Sequence, residues 1–302
     1  MEPIVNPVDP ALIKAELNDK TLLWNSSHGG FQVYLVDGVC APNVLREIGR
    51  LREHAYRNKG GGTGKAIDLD HFDLDQSLGF KQLVLWDPEN EMIAGGYRIL
   101  FGDRCRYGED GQPLMPSSHL FRFSDRFLKD YMPATVELSR SFITASFMQN
   151  SSATRNVFAL DSLLGGICKS VAHTSMKYFF GKVTFYPDYP KEALGLVSAF
   201  FKKHCADDMV FPHVAYPVDT SCDPESVFTH DNFKEDFRAL KLELRKRGYY
   251  LPPILNTYIN LSSDFRYFGL VVYHEFSGAI EMGLLVNFDD LQPERYRELL
   301  DN

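Results

Sequence analysis

The sequence lacks a long run of apolar residues. Nowhere do 18 apolar residues follow one another, so no segment is expected to cross a bilayer as a helix. The first residues, MEPIVNPVDPALIKAEL, also lack the basic stretch and the apolar stretch of a secretory signal. We therefore expect a cytoplasmic protein, and peripheral contact with the inner face of a membrane stays open.

The sequence also has little basic charge, and its cysteines and histidines form no recognisable motif. Lysine and arginine number 32 against 40 aspartates and glutamates, so the formal net charge is −8. Such a chain is a poor partner for nucleic acid, because binding to phosphates needs a basic face. The five cysteines include no CxxC pair, so reduced thiols are expected. The nine histidines show no metal-ligand spacing, so no metal site is expected.

Apolar and aromatic residues are abundant. Apolar residues make up 44% of the 302 residues, which is enough for the core of one large domain or two small ones. The chain also has 23 phenylalanines and 15 tyrosines. These aromatic residues favour a large core. The alternative is that some of them form an apolar pocket for a hydrophobic substrate.

Periodicity along the chain predicts a mixture of strands and helices. Alternating or continuous apolar runs predict strands, and apolar residues at helical spacing predict helices. The predicted strands lie at 31–37 and 134–147, within 81–102 on either side of a turn at 87–90, in GKVTFYPDY, and in YFGLVVYHEF and AIEMGLLVNF. The predicted helices begin at Pro42 and cover about 157–180, 190–203 and 232–247. Gly181 is expected just after the long helix, and Gly95-Gly96 is expected at a bulge or close backbone approach. This order predicts an α+β fold with a mixed sheet.

The segment RNKGGGTGKAIDLDHFD (57–73) looks at first like a phosphate-binding loop. The nucleotide motif G-x-x-x-x-G-K-[ST] would need a glycine at Lys59 and a hydroxyl residue at Ala66, and it fails at both positions. No nucleotide site is therefore expected. Two interpretations remain open: a flexible connection that admits positive φ, or a hinged loop over a substrate site.

An acidic cluster follows this loop. Asp68, Asp70 and Asp73 lie within six residues, without the spacing of an EF-hand calcium loop. Carboxylates so close together repel one another and need cationic partners. The candidate partners are Arg52, Arg57, Arg98 and Arg140.

Three motifs in order carry a resemblance to a known family. Asp70-His71-Phe72-Asp73, GGYRI with Arg98, and VELSRSFI with Glu137 and Arg140 resemble the acyl-homoserine-lactone synthases. A closer resemblance, from about residue 15 almost to the end, is to the hemolysin-like acyltransferases, which include ornithine-lipid and glycine-lipid N-acyltransferases. It implies a GNAT-like fold, a mostly antiparallel sheet flanked by helices. The catalytic core would cover 1–185, and an elaborated C-terminal half, 186–302, would complete the sheet.

The resemblance also implies an activity. The enzyme would move a (3-hydroxy)fatty acyl group from acyl carrier protein to the α-amine of an amino acid, with glycine favoured and ornithine next. No tightly bound cofactor is implied. The segment QNSSATRNVFALDSLLGG lacks the glycine loop that holds the pyrophosphate of coenzyme A, which favours a carrier-bound phosphopantetheine donor over acyl-CoA. The alternatives are a homoserine-lactone-type signal synthase and a non-catalytic acyl-carrier or lipid-binding protein.

The resemblance assigns roles to individual residues. Glu137 would be the general base or would position the amine, unless it only forms an ion pair within the sheet. Arg98 and Arg140 would hold the carboxylate of the acceptor or fix Asp70 and Asp73, which belong to the same catalytic network. Backbone N–H groups after the VELSR strand would stabilise the oxyanion.

Further residues are candidates for substrate binding. They are Arg52, Arg57, Ser139, Phe142 and Arg155, with Ser139 also a candidate proton donor to the thiolate. Candidates for an acyl tunnel are Phe142, Phe147, Tyr178, Phe179 and Phe180. Basic clusters that could receive an acidic carrier protein are Lys202-Lys203 and Lys241, Arg245, Lys246 and Arg247, although a solvated helix face is the favoured explanation of them. The tail LQPERYRELL could touch a membrane or cap the fold.

Overall fold

The computed structural model describes residues 1–217, 224–262 and 264–301. Within these ranges the strands are β1 (Leu22–Asn25), β2 (Gln32–Val36), β3 (Lys81–Asp87), β4 (Met92–Phe101), β5 (Phe121–Phe123), β6 (Thr135–Ile143), β7 (Tyr178–Phe185), β8 (Val210–Pro212), β9 (Phe265–Tyr273) and β10 (Ala279–Asn287). Eight of them form one sheet in the order β1-β2-β3-β4-β6-β7-β10-β9, and β5 pairs with β8. Strands from both halves of the chain therefore share one sheet.

Helices cover both faces of this sheet. In the described part of the chain they are α1 (Pro10–Glu16), α2 (Pro42–Arg57), α3 (His71–Leu74), α4 (Asp125–Asp130), α5 (Ala145–Asn150), α6 (Ala153–Val171), α7 (Lys191–Cys205), α8 (Pro224–Val227), α9 (Phe233–Lys246), α10 (Pro253–Ile259) and α11 (Glu294–Asp301). Leu163 and Ile167 of α6 pack with Val33 and Leu83 on one face. Ile48 of α2 packs in a separate cluster on the other face.

The long predicted helix ends earlier than expected. It stops at Val171, and Tyr178 to Gly181 lie in β7, so the predicted helix to residue 180 and the helix-ending role of Gly181 are wrong. The apolar run fits a strand as well as a helix, and pairing with β10 over eight residues selects the strand. The predicted strand 134–147 likewise ends at Ile143, and α5 follows it.

The two glycines of β4, Gly95 and Gly96, lie at a bulge where neighbouring strands approach closely. The pairing of β4 shifts register against both β3 and β6 next to Gly95 and Gly96. A Cβ atom on Gly95 would lie 2.7 Å from the carbonyl oxygen of Phe142, and one on Gly96 would lie 2.6 Å from that of Leu83. The predicted bulge and close backbone approach are confirmed.

One pair of strands in the main sheet differs from the rest. β6 and β7 run parallel, whereas every other neighbouring pair in the described sheet is antiparallel. Their pairing extends only from Thr135 opposite Tyr178 to Leu138 opposite Gly181. Beyond Leu138, β6 stays paired with β4 and β7 with β10. The two strands therefore separate and open a wedge in the middle of the sheet.

Three sequence expectations concern features outside the sheet. No described helix is long and apolar enough to cross a membrane. Cys40, Cys105, Cys168 and Cys205 carry free thiols, and Cys222 lies outside the described residues. No group of three or more potential metal ligands occurs among the residues that were described.

Candidate active site

A cavity of about 560 Å³ lies in the wedge between β6 and β7. This volume falls in the range of roughly 300–1,000 Å³ that is usual for small-molecule sites. β6 contributes Leu138, Ser139 and Arg140 to its lining, and β7 contributes Lys182 and Thr184. The cavity therefore passes through the sheet, because neighbouring residues of a strand point to opposite faces.

The two sides of the cavity differ in chemistry. On the side covered by α6 and α10 the lining is apolar and aromatic: Tyr97, Leu138, Leu160, Leu163, Phe185, Ile254 and Tyr258. On the other side it is polar and charged: Arg98, Ser139, Arg140, Lys182, Thr184 and Glu281. The site can thus hold an alkyl chain on one side of the sheet and a small charged molecule on the other.

The acidic cluster forms a network with arginines behind the charged side. Arg98 lies 2.6 Å from Asp70 and 2.9 Å from Asp73, and Arg52 lies 3.0 Å from Asp73. Burial would raise the pKa of Asp73, but the Arg52 and Arg98 guanidinium groups outweigh it and hold that pKa well below its usual range. Arg52, Arg98 and Asp73 are buried, and they join α2, α3 and β4.

The sequence of the acidic element explains its local shape. Asp70 caps α3 by accepting a hydrogen bond from the backbone N–H of Phe72, at 2.9 Å. Asp73 reaches back and accepts from the backbone N–H of Asp70, at 3.1 Å. This reciprocal cap fixes both carboxylates in one turn, so that they face Arg98 together.

The glycine segment encloses an internal carboxylate. Glu53 of α2 is fully buried and accepts hydrogen bonds from the backbone N–H groups of Thr63 (3.0 Å) and Gly64 (2.8 Å). The Thr63 hydroxyl and Arg57 donate to the same carboxylate, at 2.8 and 2.7 Å. These two loop amides and this hydroxyl are therefore already bound to Glu53, in agreement with the failed nucleotide motif.

The same segment reaches the cavity. Lys59 is one of the lining residues. Gly61 lies against two aromatic rings of the lining, since a Cβ there would be 2.7 Å from Tyr186 and 3.1 Å from Phe276. The loop thus forms part of the wall through its backbone as well as through Lys59.

Glu137 lies behind the charged wall. It is fully buried and is not one of the lining residues. Its Oε1 accepts a hydrogen bond from the Ser117 hydroxyl at 2.7 Å and lies 3.5 Å from Nζ of Lys182. Lys182 in turn donates to the Ser117 hydroxyl at 2.6 Å. The geometry lets Glu137 position Lys182, which does face the cavity.

Arg140 is held in an unusual backbone conformation at the edge of the cavity. Its φ is 52°, a left-handed value inside a bulged part of β6, and its guanidinium lies over the Phe276 ring at 5.4 Å. One terminal nitrogen lies 3.2 Å from Asp68. Its buried Nε has no hydrogen-bond partner in the described residues, so it keeps a donor for a ligand.

Two charged residues of the wall were missed by the sequence reasoning. Lys182 and Glu281 lie on β7 and β10 and both line the cavity. Glu281 is 4% exposed, and the Thr184 hydroxyl lies 3.0 and 3.2 Å from its two oxygens. Burial raises the pKa of Glu281, although Lys182 partly opposes the rise. A lone carboxylate in the apolar run AIEMGLLVNF is the same signal that singled out Glu137, and it could have identified Glu281.

The structure brings some predicted residues to the cavity and leaves others away from it. Of the predicted site residues, Arg98, Ser139, Arg140 and Phe142 line it, whereas Arg52, Arg57, Asp70, Asp73, Glu137 and Arg155 do not. Arg155 instead pairs with Asp87 at 2.8 Å and lies over the Phe31 ring at 5.0 Å. It ties α6 to the end of β3.

Four of the five predicted tunnel residues also pack elsewhere. Phe147 and Phe179 belong to the core under α6, and Phe180 belongs to the cluster on the opposite face. Tyr178 packs against Tyr131. The expectation of a tunnel through these four side chains is therefore wrong. Alternation along β7 directs Tyr178, Phe179 and Phe180 away from the cavity, and Phe147 of α5 is buried in the core.

Comparison with known proteins finds a matching family model and distantly similar solved structures. A model of the acetyltransferase (GNAT) domain matches residues 51–157. Among solved structures, FeeM, an N-acyl amino acid synthase from uncultured soil microbes, is 12% identical with a TM-score of 0.42, and covers 89% of this chain and 94% of its own. The AHL synthase LasI is 11% identical with a TM-score of 0.38, over 85% and 89%. Both structural resemblances are distant.

Two relatives match along nearly the whole chain, and each is named glycine N(alpha)-acyltransferase. The protein from Bacteroides thetaiotaomicron is 42% identical over 304 residues, which is 99% of this chain and 90% of that protein. The protein from Phocaeicola vulgatus is 41% identical over 306 residues, which is 99% and 93%. The chain therefore belongs to the family of GNAT-fold N-acyltransferases that contains these two enzymes.

Proposed function

We propose that the protein transfers a (3-hydroxy)fatty acyl group from acyl carrier protein to the α-amine of an amino acid, with glycine as the favoured acceptor and ornithine as the next. The observation that carries the proposal is the cavity that crosses the sheet, apolar on one side and charged on the other. The relatives named for glycine support the choice of acceptor.

The charged wall suits a small zwitterion. The guanidinium groups of Arg52, Arg98 and Arg140 pair with the carboxyl groups of Asp68, Asp70 and Asp73, so this network serves as a frame. The unpartnered Nε of Arg140 and the ammonium of Lys182 remain to hold the acceptor carboxylate. Arg98 has fewer N–H groups available for a ligand, because its guanidinium is already paired with Asp70 and Asp73.

The opened edge of β6 suits the thioester. After Leu138 this edge has no strand partner on the side of β7 within the described residues, and Ser139 and Arg140 line the cavity there. We assign to backbone N–H groups of this stretch the stabilisation of the oxyanion that forms when the amine attacks the thioester carbon. A C–N bond then forms, the C–S bond breaks, and the thiolate leaves with a proton.

The start of α6 supports a carrier-bound donor over acyl-CoA. Related acyl-CoA enzymes hold pyrophosphate at such a helix start, where free N–H groups point at the anion. Here Ser152 caps the helix by accepting from the N–H of Arg155, and Arg155 is paired with the carboxylates of Asp87 and Glu89. Two carboxylates at this position disfavour a pyrophosphate.

A basic surface adjoins the cavity. Lys241 and Arg245 line a second hollow of about 220 Å³ that shares Tyr250, Leu251 and Pro253 with the main cavity. Of the predicted basic clusters this is the part beside the cavity, and an acidic carrier protein would dock there. By contrast, Lys246 is paired with Glu243.

The proposal is tested with purified protein, 3-hydroxypalmitoyl carrier protein and a panel of amino acids, with products detected by mass spectrometry. We expect N-acylglycine as the main product, and a slower reaction when acyl-CoA replaces the carrier. Absence of N-acyl product with every amino acid would overturn the proposal. In that case, product formed from S-adenosylmethionine would indicate a signal synthase, and tight carrier binding without turnover would indicate a non-catalytic protein.

A further inference from the structure

Glu281 occupies a central position in the charged wall. It lies in β10, opposite Thr184 of β7 and Val271 of β9. The pairing places a carboxylate inside the sheet, where neighbouring positions of β10 are apolar and buried. It is nevertheless part of the cavity lining, so a molecule bound there meets it directly.

The carboxylate of Glu281 retains unused acceptor capacity. A carboxylate has about four lone-pair positions. In the described part of the chain the Thr184 hydroxyl is its hydrogen-bond donor, at 3.0 and 3.2 Å from the two oxygens. One hydroxyl proton cannot satisfy both oxygens, so the remaining positions are open to the cavity and suit a donor such as an ammonium group.

Glu137 and Glu281 stand in different relations to Lys182. Glu137 holds Lys182 from behind through Ser117 and does not line the cavity. Glu281 and Lys182 both line it and interact electrostatically, so the wall presents an acidic and a basic group to the same cavity. A zwitterion needs this arrangement, because its carboxylate and its ammonium lie only a few bonds apart.

We propose that Glu281 is the proton acceptor for the amine of the acceptor amino acid, a role that rests on the proposed acyl transfer. The ammonium gives one proton to the Glu281 carboxylate, and the neutral amine attacks the thioester carbon. When the tetrahedral intermediate collapses, the second proton lost by nitrogen goes to the leaving thiolate. Glu281 then releases its proton to solvent, so the products are the N-acyl amino acid, the thiol and one proton.

The groups around Glu281 suit this role. Among the described residues, the titratable groups that interact with it include Lys182, Arg140, Tyr186 and Tyr273. Burial and the charge of Glu281 raise the pKa of Tyr186 to about 12, so that this phenol stays neutral. Burial raises the pKa of Glu281 itself, which brings it closer to that of an amine and makes it a better proton acceptor.

The test compares Glu281→Gln with wild type and with Glu137→Gln. Measurements are kcat/KM for glycine against pH, acyl-carrier binding and Tm. For Glu281→Gln we expect kcat/KM at pH 7 to fall about 100-fold or more, and to recover as pH rises and more amine becomes neutral. Carrier binding should be retained, and Tm should not fall. Glu137→Gln should lower kcat/KM without that recovery, and Glu281→Asp should restore part of the activity.

Some outcomes would overturn the role of Glu281 while leaving the proposed function intact. If wild type makes N-acylglycine and Glu281→Gln keeps a normal pH profile, another group accepts the proton. If wild type makes no N-acyl amino acid, the proposed function itself has failed. Should Glu281→Gln not fold, Thr184→Val decides: loss of the hydroxyl destabilises the carboxylate, so the acidic limb of kcat/KM should move to higher pH, and an unmoved limb overturns the proposal.

Discussion

Arg98 and Asp73 lie 2.9 Å apart, and both side chains are almost completely buried. The pair joins the acidic turn α3 to β4 directly behind the charged wall of the cavity. Arg52 binds the other oxygen of the same carboxylate, at 3.0 Å. One carboxylate therefore supports two buried guanidinium groups, and the position of Arg98 in the wall depends on it.

Removal of the Asp73 charge should destabilise the protein strongly. Asp73→Asn removes the ion pair that Arg52 makes in the described part of the chain and leaves Arg98 paired with Asp70 there. Breaking a buried pair in this way costs about 3–5 kcal/mol. Urea unfolding measures the free energy of unfolding. As a control, Glu91→Gln removes the exposed pair with Lys14 and should cost less than about 1 kcal/mol. Equal losses in the two variants would contradict the prediction.

The same pair predicts an acid-dependent loss of stability. The pKa of Asp73 is held below its usual range by Arg52 and Arg98, so its stabilisation is present above the unfolded pKa, about 3.9, and is lost as pH falls below it. Below about pH 4 the wild type should lose stability more steeply than Asp73→Asn. Parallel curves for the two proteins would argue against this.

The contribution of Glu281 to stability should depend on pH with the opposite sign. Burial raises its pKa, so the folded protein binds this proton more tightly than the unfolded chain, and stability falls as pH rises above the unfolded pKa of about 4.3. Glu281→Gln removes this cost and should be more stable than wild type at pH 8, with little difference near pH 4. Glu275→Gln, at an exposed site before β10, is the control and should show no such trend. A pH-independent difference for Glu281→Gln would refute the assignment.

A methyl group at Gly61 should disturb the cavity by contact. Gly61→Ala would press on Tyr186 at 2.7 Å and Phe276 at 3.1 Å, both lining residues, so kcat/KM should fall by more than the loss of stability explains. Gly60→Ala is the matched control, since Gly60 has a φ of 80° and no atom within 4 Å of its Cβ position. It should cost about 1–2 kcal/mol of backbone strain and leave kcat/KM unchanged. If both variants lose turnover equally, the loop acts as a hinge and not through these rings.

The basic surface beside the cavity should control the use of the carrier. Reversal of charge in Lys241→Glu with Arg245→Glu should raise KM for acyl carrier protein, most strongly at low salt, because surface charges steer association. The turnover of a small pantetheine thioester should not change. Lys20→Glu, an exposed lysine before β1, is the control. An unchanged KM for the carrier would place its docking site elsewhere.

Some features of the structure could be predicted from short stretches of sequence, because interactions between nearby residues or the absence of a side chain determine them. Pro42 starts α2, and the closely spaced aspartates pointed to arginine partners, of which Arg52, Arg98 and Arg140 are the ones observed. The paired glycines of β4 were predicted at a close approach of the backbone because a side chain there would collide with a neighbouring strand. Ordered motifs along the chain indicated the family, which the two relatives confirm.

Other features depend on contacts between distant parts of the chain. The run after Val171 fits both a helix and a strand, and only pairing with β10 selects the strand. The cavity wall combines Arg140, Lys182 and Glu281, which meet only because β6, β7 and β10 are neighbours in the sheet. The sequence by itself determined the local turns, the bulge and the charge pairing. The tertiary structure decided which side chains face the cavity. This depends on the order and register of the strands, which a local sequence pattern does not determine.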